Sequence, residues 1–228
     1  MKGTLLWDFD GTLAYRDGMW RGCLTDILVA EDPSTTVTDE DIRPYVNEGF
    51  PWHEPKKEHT DIKTSDEWWA VMHPLFVNAY KGVGVDDGLA NKCASLVRNE
   101  FINTKKWHLF EDTIPALTKL EQEGWKHVIV SNHVPELEAL VSHLGIHEYV
   151  QEVFTSALVG YEKPHQKMFE HVLSHIQSND DMWMIGDSVA ADINGAASVG
   201  IKGILVRKPN EDADVYYENL LEVVEKLR

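Results

Sequence analysis

The strongest constraint on this chain is the order of its apolar patterns after residue 108. Short apolar runs alternate with amphipathic stretches. Runs at His127–Val130, Val153–Thr155, Met182–Ile185 and Ile204–Val206 read as strands. Helical periodicity covers Thr113–Glu123, Pro135–Leu144, Lys167–Ile176, Val189–Val199 and Tyr217–Leu227. Thr113 reads as an N-cap with Pro115 in the first turn, and Gly124, Gly145 and Gly200 fall where helices should stop. Strands that are apolar throughout are buried on both faces. Their alternation with helices specifies a parallel sheet covered on both sides. The opening run, Thr4–Trp7, has the same character and belongs in that sheet.

Residues 16–107 read differently, with helical patches and almost no strand signal. Thr38-Asp39-Glu40-Asp41 resembles a capping box, Ser65 precedes an apolar face of Trp68, Trp69, Met72 and Phe76, and Asp87–Phe101 continues as a helix. The expected organisation is therefore an α/β core from 1–15 and 108–228, interrupted by an all-helical unit at 16–107. Five of the eight tryptophans (Trp20, Trp52, Trp68, Trp69 and Trp107) lie in or at the edge of that unit. A small helical unit needs large side chains to build a core, which favours that role over an aromatic wall facing a substrate.

With 228 residues the chain can bury a core without disulfide or metal staples. Its net charge of −17 opposes nucleic acid and anionic membrane surfaces. No run approaches the length of a membrane span. Cys23 and Cys93 form no metal-binding or redox pattern, so a reduced, cytoplasmic protein is expected.

Acidic residues gather at the expected strand ends. Asp8-Phe9-Asp10-Gly11-Thr12 follows the first strand, and Gly186-Asp187-Ser188, with Asp192 five residues beyond Asp187, follows a later one. Residues i and i+2 of a strand share a face, so Asp8 and Asp10 point together. Ligands of open α/β sheets bind beyond the carboxyl ends of the strands. Two unit charges about 4 Å apart repel by roughly 4 kcal/mol at an effective dielectric near 20. Aspartate is common in turns, but two such motifs at two strand ends favour a site for a hard divalent cation such as Mg²⁺, which takes oxygen ligands. Ser131-Asn132 ends another strand before a helix, a placement suited to phosphate. Lys163-Pro164 precedes a helix, and Lys163 would offset negative charge there.

These four segments, in this order and separated by 123, 32 and 24 residues, resemble the four motifs of the haloacid dehalogenase (HAD) superfamily. The resemblance implies a Rossmann-like, doubly wound parallel sheet with residues 16–107 as an inserted helical C1-type cap. It implies Asp8 as the nucleophile that forms an aspartyl-phosphate and Asp10 as the acid and base. Mg²⁺ would be held by Asp8, the backbone carbonyl of Asp10, and Asp187. Thr12 and Ser131 would bind the phosphoryl group, Asn132 would touch the leaving group, Lys163 would neutralise charge, and Asp192 would orient Lys163 or a metal-bound water. His133 stands where a smaller residue is expected, either contacting substrate or capping the following helix.

Dehalogenases resemble this pattern without the second aspartate, so Asp10 favours phosphoryl transfer. A phosphonatase would use a cap lysine, for which Lys56, Lys57 and Lys63 are available. A sugar-phosphate mutase or a non-catalytic binding protein on the same fold are further alternatives. The expected reaction is Mg²⁺-dependent hydrolysis of a small phosphorylated metabolite. His171 and His175 have zinc-pair spacing, but no HExxH motif accompanies them, and a packed or solvated pair is favoured.

Overall fold

The computed structural model describes residues 2–176 and 181–228. Met1, part of the expected core segment, lies outside them. The strands are β1 (Gly3–Trp7), β2 (Ala14–Arg16), β3 (Trp107–Leu109), β4 (Trp125–Ser131), β5 (Val150–Thr155), β6 (Asp181–Gly186), β7 (Lys202–Val206) and β8 (Tyr216–Tyr217). The helices are α1 (Met19–Glu31), α2 (Asp39–Val46), α3 (Ser65–Gly82), α4 (Asp87–Phe101), α5 (Thr113–Gln122), α6 (Leu137–His143), α7 (Ser156–Val159), α8 (Gln166–His175), α9 (Gly195–Ala197) and α10 (Leu220–Leu227).

Six strands form one parallel sheet in the order β5-β4-β1-β6-β7-β8. Every residue of β1 is buried, as expected for a strand covered on both faces. Leu5, Trp7 and Ile129 pack against the helices α5, α6 and α10. Leu6, Val128 and Val130 point the other way, toward α8 and α9. The sheet is thus doubly wound. Chain order reverses at β1: β4 and β5 lie on one side, β6 to β8 on the other. That reversal opens a crevice at the carboxyl ends of β4, β1 and β6. The register holds those ends level, with Trp7 beside Ile129 and Ile185, so the residues that follow each strand meet there.

Helices α1 to α4 lie between β2 and β3 in the chain. Thr64 and Glu67 close the start of α3 reciprocally: Thr64 Oγ1 accepts from Glu67 N at 3.2 Å, and Glu67 accepts from Thr64 N at 3.0 Å. Such a cap contributes about 1 kcal/mol. At α4, Asp86 accepts from Gly88 N and Leu89 N. The antiparallel ribbon of β2 and β3 was not legible in the sequence. Its register pairs Ala14 with Leu109 and Arg16 with Trp107, so both expected boundaries of the helical segment fall inside one hydrogen-bonded ladder. The apolar core also continues from Phe9 and Leu13 through Trp107 into Trp20, Phe101 and Trp68.

Three local expectations change. Thr113 is the first residue of α5 rather than its cap; its hydroxyl donates to the carbonyl of Leu13 at 2.7 Å. The end segment folds as β8 before α10 begins at Leu220, because Val206 and Leu205 offer a sheet edge to Tyr216 and Tyr217. Val189–Asn194 winds as a π-helical turn instead of an α-helix. Ile193 N reaches back to the carbonyl of Ser188 at 3.3 Å, and the widened turn carries Asp192 inward.

Candidate active site

Asp8 leaves the tip of β1, where its amide donates to the carbonyl of Ile185 at 2.9 Å. Its carboxylate is buried and surrounded by donors. Oδ1 accepts from Lys163 Nζ at 2.8 Å and Ser131 Oγ at 3.0 Å, and Oδ2 accepts from Thr12 Oγ1 at 3.3 Å. Two of these donors, Ser131 and Lys163, lie 123 and 155 residues from Asp8 in sequence and meet on the same oxygen.

Lys163 is 2 % exposed, and its ammonium donates to three acceptors: Asp8, Asp192 Oδ1 at 2.6 Å, and the carbonyl of Val130 at 2.7 Å. Burial disfavours its charge, but Asp192 and Asp8 more than offset this and hold its pKa above the ordinary lysine value. Removing one partner of such a buried pair typically costs about 3–5 kcal/mol. The backbone of Lys163 is held as firmly as its side chain. Asn132 Nδ2 donates to the carbonyl of Lys163 at 2.9 Å, and Lys163 N donates to Asn132 Oδ1 at 2.7 Å. Both polar ends of the Asn132 side chain are therefore engaged with Lys163, and one N–H of its amide remains at the cavity that Asn132 lines.

Asp187 follows β6. Its Oδ2 is paired with the ammonium of Lys208, an exposed side chain without any signal in the sequence. Burial and the nearby Asp8 raise its pKa, against the pull of Lys208. Gly11 has φ +82°, and a Cβ there would come within 2.3 Å of Asp187 Oδ2; this position requires glycine. Asp8, Asp187 and Asp192 each offer an oxygen within 4.8 Å of the others. Asp192, however, already accepts from Lys163 and, on Oδ2, from Ser188 N at 3.0 Å. Asp8 and Asp187 are engaged too, by Lys163, Ser131 and Thr12 and by Lys208, so a cation would share or displace these contacts. An all-oxygen donor set of this kind suits Mg²⁺.

Asp10 points into the crevice. Its Oδ1 is buried and has no hydrogen-bond partner. Burial, then Asp8 and Asp187, push its pKa well above the usual carboxylate range. His133 Nε2 lies 3.6 Å away and is likewise buried and unpartnered. Phe9, Phe101 and Trp107 surround the imidazole, and burial pushes its pKa down to about 4. Thr155 fixes the backbone here, donating to the carbonyl of His133 at 2.7 Å.

Asp10, Asn132, His133 and Lys163 border a cavity of about 470 Å³ whose other wall comes from the helical segment. Trp20, Trp52 and Phe101 line it, with Trp20 and Phe101 stacked at 3.8 Å. Trp68, Trp69 and Trp107 are buried in the core. Trp20 is buried in that core as well, so the core role expected for the five holds for four of them, and Trp20 and the half-buried Trp52 also form the aromatic wall. A second contact, also invisible in the sequence, joins the segment to the core: Glu136 accepts from Trp69 Nε1 at 3.1 Å, from Arg98 Nε at 2.9 Å, and from Ser65 Oγ. Opposite it, Arg207 forks onto Asp112 and donates to the carbonyl of Thr12, holding the loop after β1. Away from the site, the His171 and His175 rings pack 4.3 Å apart with His175 Nδ1 at the carbonyl of His171, and among the described residues they join no group of three potential metal ligands.

Carboxylates from two adjacent strand tips around a buried lysine, at the switch point of a doubly wound sheet, form the arrangement that the four sequence motifs resemble. The family model of haloacid dehalogenase-like hydrolases matches residues 5–206, and the chain belongs to that family. It is similar to the haloacid dehalogenase-like hydrolase domain-containing protein 3 of Bos taurus, 30% identical over 148 residues, covering 64% of this chain and 58% of that protein. It is also similar to a glyceraldehyde 3-phosphate phosphatase of Methanothermobacter thermautotrophicus, 33% identical over 108 residues, covering 46% and 47%. The chain thus spans less than three fifths of the length of these curated relatives. Among solved structures, the magnesium-bound HAD hydrolase YfnB of Bacillus subtilis shares the fold, with a TM-score of 0.72, 21% identity, and 99% and 98% coverage. Among the described residues, no helix is long and apolar enough to cross a membrane.

Proposed function

We propose that this chain is a Mg²⁺-dependent phosphatase that hydrolyses a small phosphorylated metabolite through an aspartyl-phosphate on Asp8. The observation that carries this reading is the pairing of two differently treated aspartates. Asp8 accepts hydrogen bonds from Lys163, Ser131 and Thr12, whereas Asp10 Oδ1 is buried, without a partner, on a residue that lines the cavity. One is prepared as a nucleophile and the other as a proton carrier. A phosphatase-named relative and a magnesium-bound neighbour of the same fold support the reading.

In the first step Asp8 attacks phosphorus, and Asp10 gives its proton to the departing alcohol oxygen. In the second, Asp10 takes a proton from the water that attacks the phosphoryl group on Asp8. Ser131 and Thr12 hold phosphoryl oxygens when substrate replaces their present contacts with Asp8. Lys163 balances charge throughout, fixed by Asp192 and Asn132. Asp8, the Asp10 carbonyl and Asp187 would hold the cation, which neutralises the charge shared by the carboxylates and the phosphate. Residues 16–107 act as a cap that closes the cavity and selects the substrate.

Lys56, Lys57 and Lys63 are exposed and absent from the cavity lining, which disfavours phosphonatase chemistry. Purified protein should release phosphate from p-nitrophenyl phosphate with Mg²⁺, and quenched mass spectrometry should find phosphate on Asp8. Unchanged turnover in chelator, or a phosphorylated residue other than Asp8, refutes this reading.

A further inference from the structure

His133 and Asp10 present two buried polar atoms side by side with nothing between them. The Nε2···Oδ1 distance of 3.6 Å exceeds a hydrogen bond, and neither atom has another partner. Buried polar atoms without partners are rare, and each is costly unless a ligand completes it. The imidazole tautomer follows from its other nitrogen. Nδ1 faces the carbonyl of Val134 at 3.3 Å, and a carbonyl can only accept. In a neutral ring among Phe9, Phe101 and Trp107, the proton therefore sits on Nδ1, and Nε2 keeps an unpaired lone pair beside Asp10 at the edge of the cavity that both residues line. Only a donor satisfies that lone pair.

We propose that His133 is a specificity-determining residue that selects phosphate esters bearing a hydroxyl on the carbon next to the esterified one, its Nε2 accepting that hydroxyl's hydrogen bond while Asp10 serves the ester oxygen. The proposal rests on the phosphatase reading and names the substrate class within it. Asp10 must reach the oxygen that leaves, which fixes where the ester oxygen lies. Nε2 is 3.6 Å from the atom that serves it, so the group meeting Nε2 is an immediate neighbour of the ester. Oxygens on adjacent carbons are close enough to meet both atoms at once. The rest of the cavity agrees with a polyol or sugar. Trp20, Trp52 and Phe101 offer flat apolar faces to the C–H side of such a chain. Lys163 is the cationic lining residue, and its ammonium is fully engaged by Asp8, Asp192 and the Val130 carbonyl.

The test compares three probes with the full chain and Mg²⁺: glycerol 3-phosphate, 1,3-propanediol monophosphate, which lacks only the neighbouring hydroxyl, and p-nitrophenyl phosphate. Wild type should favour glycerol 3-phosphate over the propanediol ester by about 10- to 100-fold in kcat/KM. His133→Leu should bring that ratio close to one, and His133→Gln, whose amide oxygen can accept, should restore part of it. A His133 that only orients Asp10 would slow both aliphatic esters alike and leave the ratio intact, which overturns the proposal. So does equal handling of the two by wild type, a result that needs no folded variant. Failure to hydrolyse any of the three removes the phosphatase reading and this proposal together. Hydrolysis of p-nitrophenyl phosphate with no preference between the aliphatic esters removes the proposal alone.

Discussion

Asn132 and Lys163 hold each other by a reciprocal pair of hydrogen bonds, the amide of one closing on the backbone N–H and carbonyl of the other. The clasp ties the loop after β4 to the loop before α8, and so sets where the Lys163 ammonium meets Asp8. Asn132→Ala removes both bonds without touching a charged group. Its kcat for p-nitrophenyl phosphate should fall by about 10-fold, the equivalent of one net hydrogen bond of roughly 1.4 kcal/mol, while KM changes little. Steady-state kinetics checks this; a change confined to KM would instead place the Asn132 amide on the substrate.

Asp10→Asn separates the two chemical steps. Nitrophenolate leaves with little help from an acid, but hydrolysis of the aspartyl-phosphate still needs a base. General acid–base help is typically worth about 10²–10⁴-fold. The variant should release one equivalent of nitrophenolate per site in a burst and then turn over slowly, with phosphorylated Asp8 accumulating. Stopped-flow absorbance reads the burst. Slow turnover without a burst or a trapped phospho-enzyme would favour direct attack by water.

Asp187 is raised in pKa by burial and by Asp8, so its charge is tolerated rather than favoured without a cation. Asp187→Asn should weaken Mg²⁺ binding at least about tenfold by calorimetry, as loss of a charged oxygen ligand implies, and should leave the metal-free melting temperature unchanged or higher. A Mg²⁺ titration identical to wild type would remove Asp187 from the ligand set.

The clasp at Glu136 links the helical segment to the core through Trp69 and Arg98. Glu136→Ala leaves the Trp69 indole N–H without its acceptor and the Arg98 guanidinium with Asp66 and Ser65 alone. The expected result is a higher KM for aliphatic phosphates, a smaller effect on p-nitrophenyl phosphate, and faster amide exchange along α3. Uniform losses on every substrate would argue that Glu136 supports folding alone.

Glu162 supplies a pH test independent of the metal. It is 1 % exposed, one oxygen lacks a partner, and burial pushes its pKa up to about 7. The folded protein thus keeps a proton that the unfolded chain gives up near pH 4.5. Below that pH the group is neutral in both states and contributes nothing. Between 4.5 and 7 stability declines as pH rises, and above 7 the full cost is present, on the order of 3 kcal/mol. Glu162→Gln should match wild type near pH 4.5 and exceed it in melting temperature by pH 8. Parallel curves across that range would show that Glu162 does not titrate with folding.

The sequence alone marked the residues that gather at the crevice and the succession of strands and helices that builds the sheet. Asp8, Asp10, Ser131 and Asp187 stand at or just beyond the ends of apolar runs, and a parallel strand buried on both faces must place the residue after it at the crevice; Lys163 was marked by its place before a helix and by the order of the four motifs. Local signals sufficed there because the period of a strand and the stop signals of a helix are written in neighbouring residues. The tertiary structure alone decided what each polar group binds. Asn132 faces Lys163 because two loops 31 residues apart converge, and His133 faces Asp10 because β4 lies against β1. The ribbon of β2 and β3, the π-helical turn at Asp192 and the clasp at Glu136 likewise depend on partners distant in the chain. Hydrogen bonds and ion pairs form between atoms a few ångströms apart, and that proximity is created only when the sheet closes.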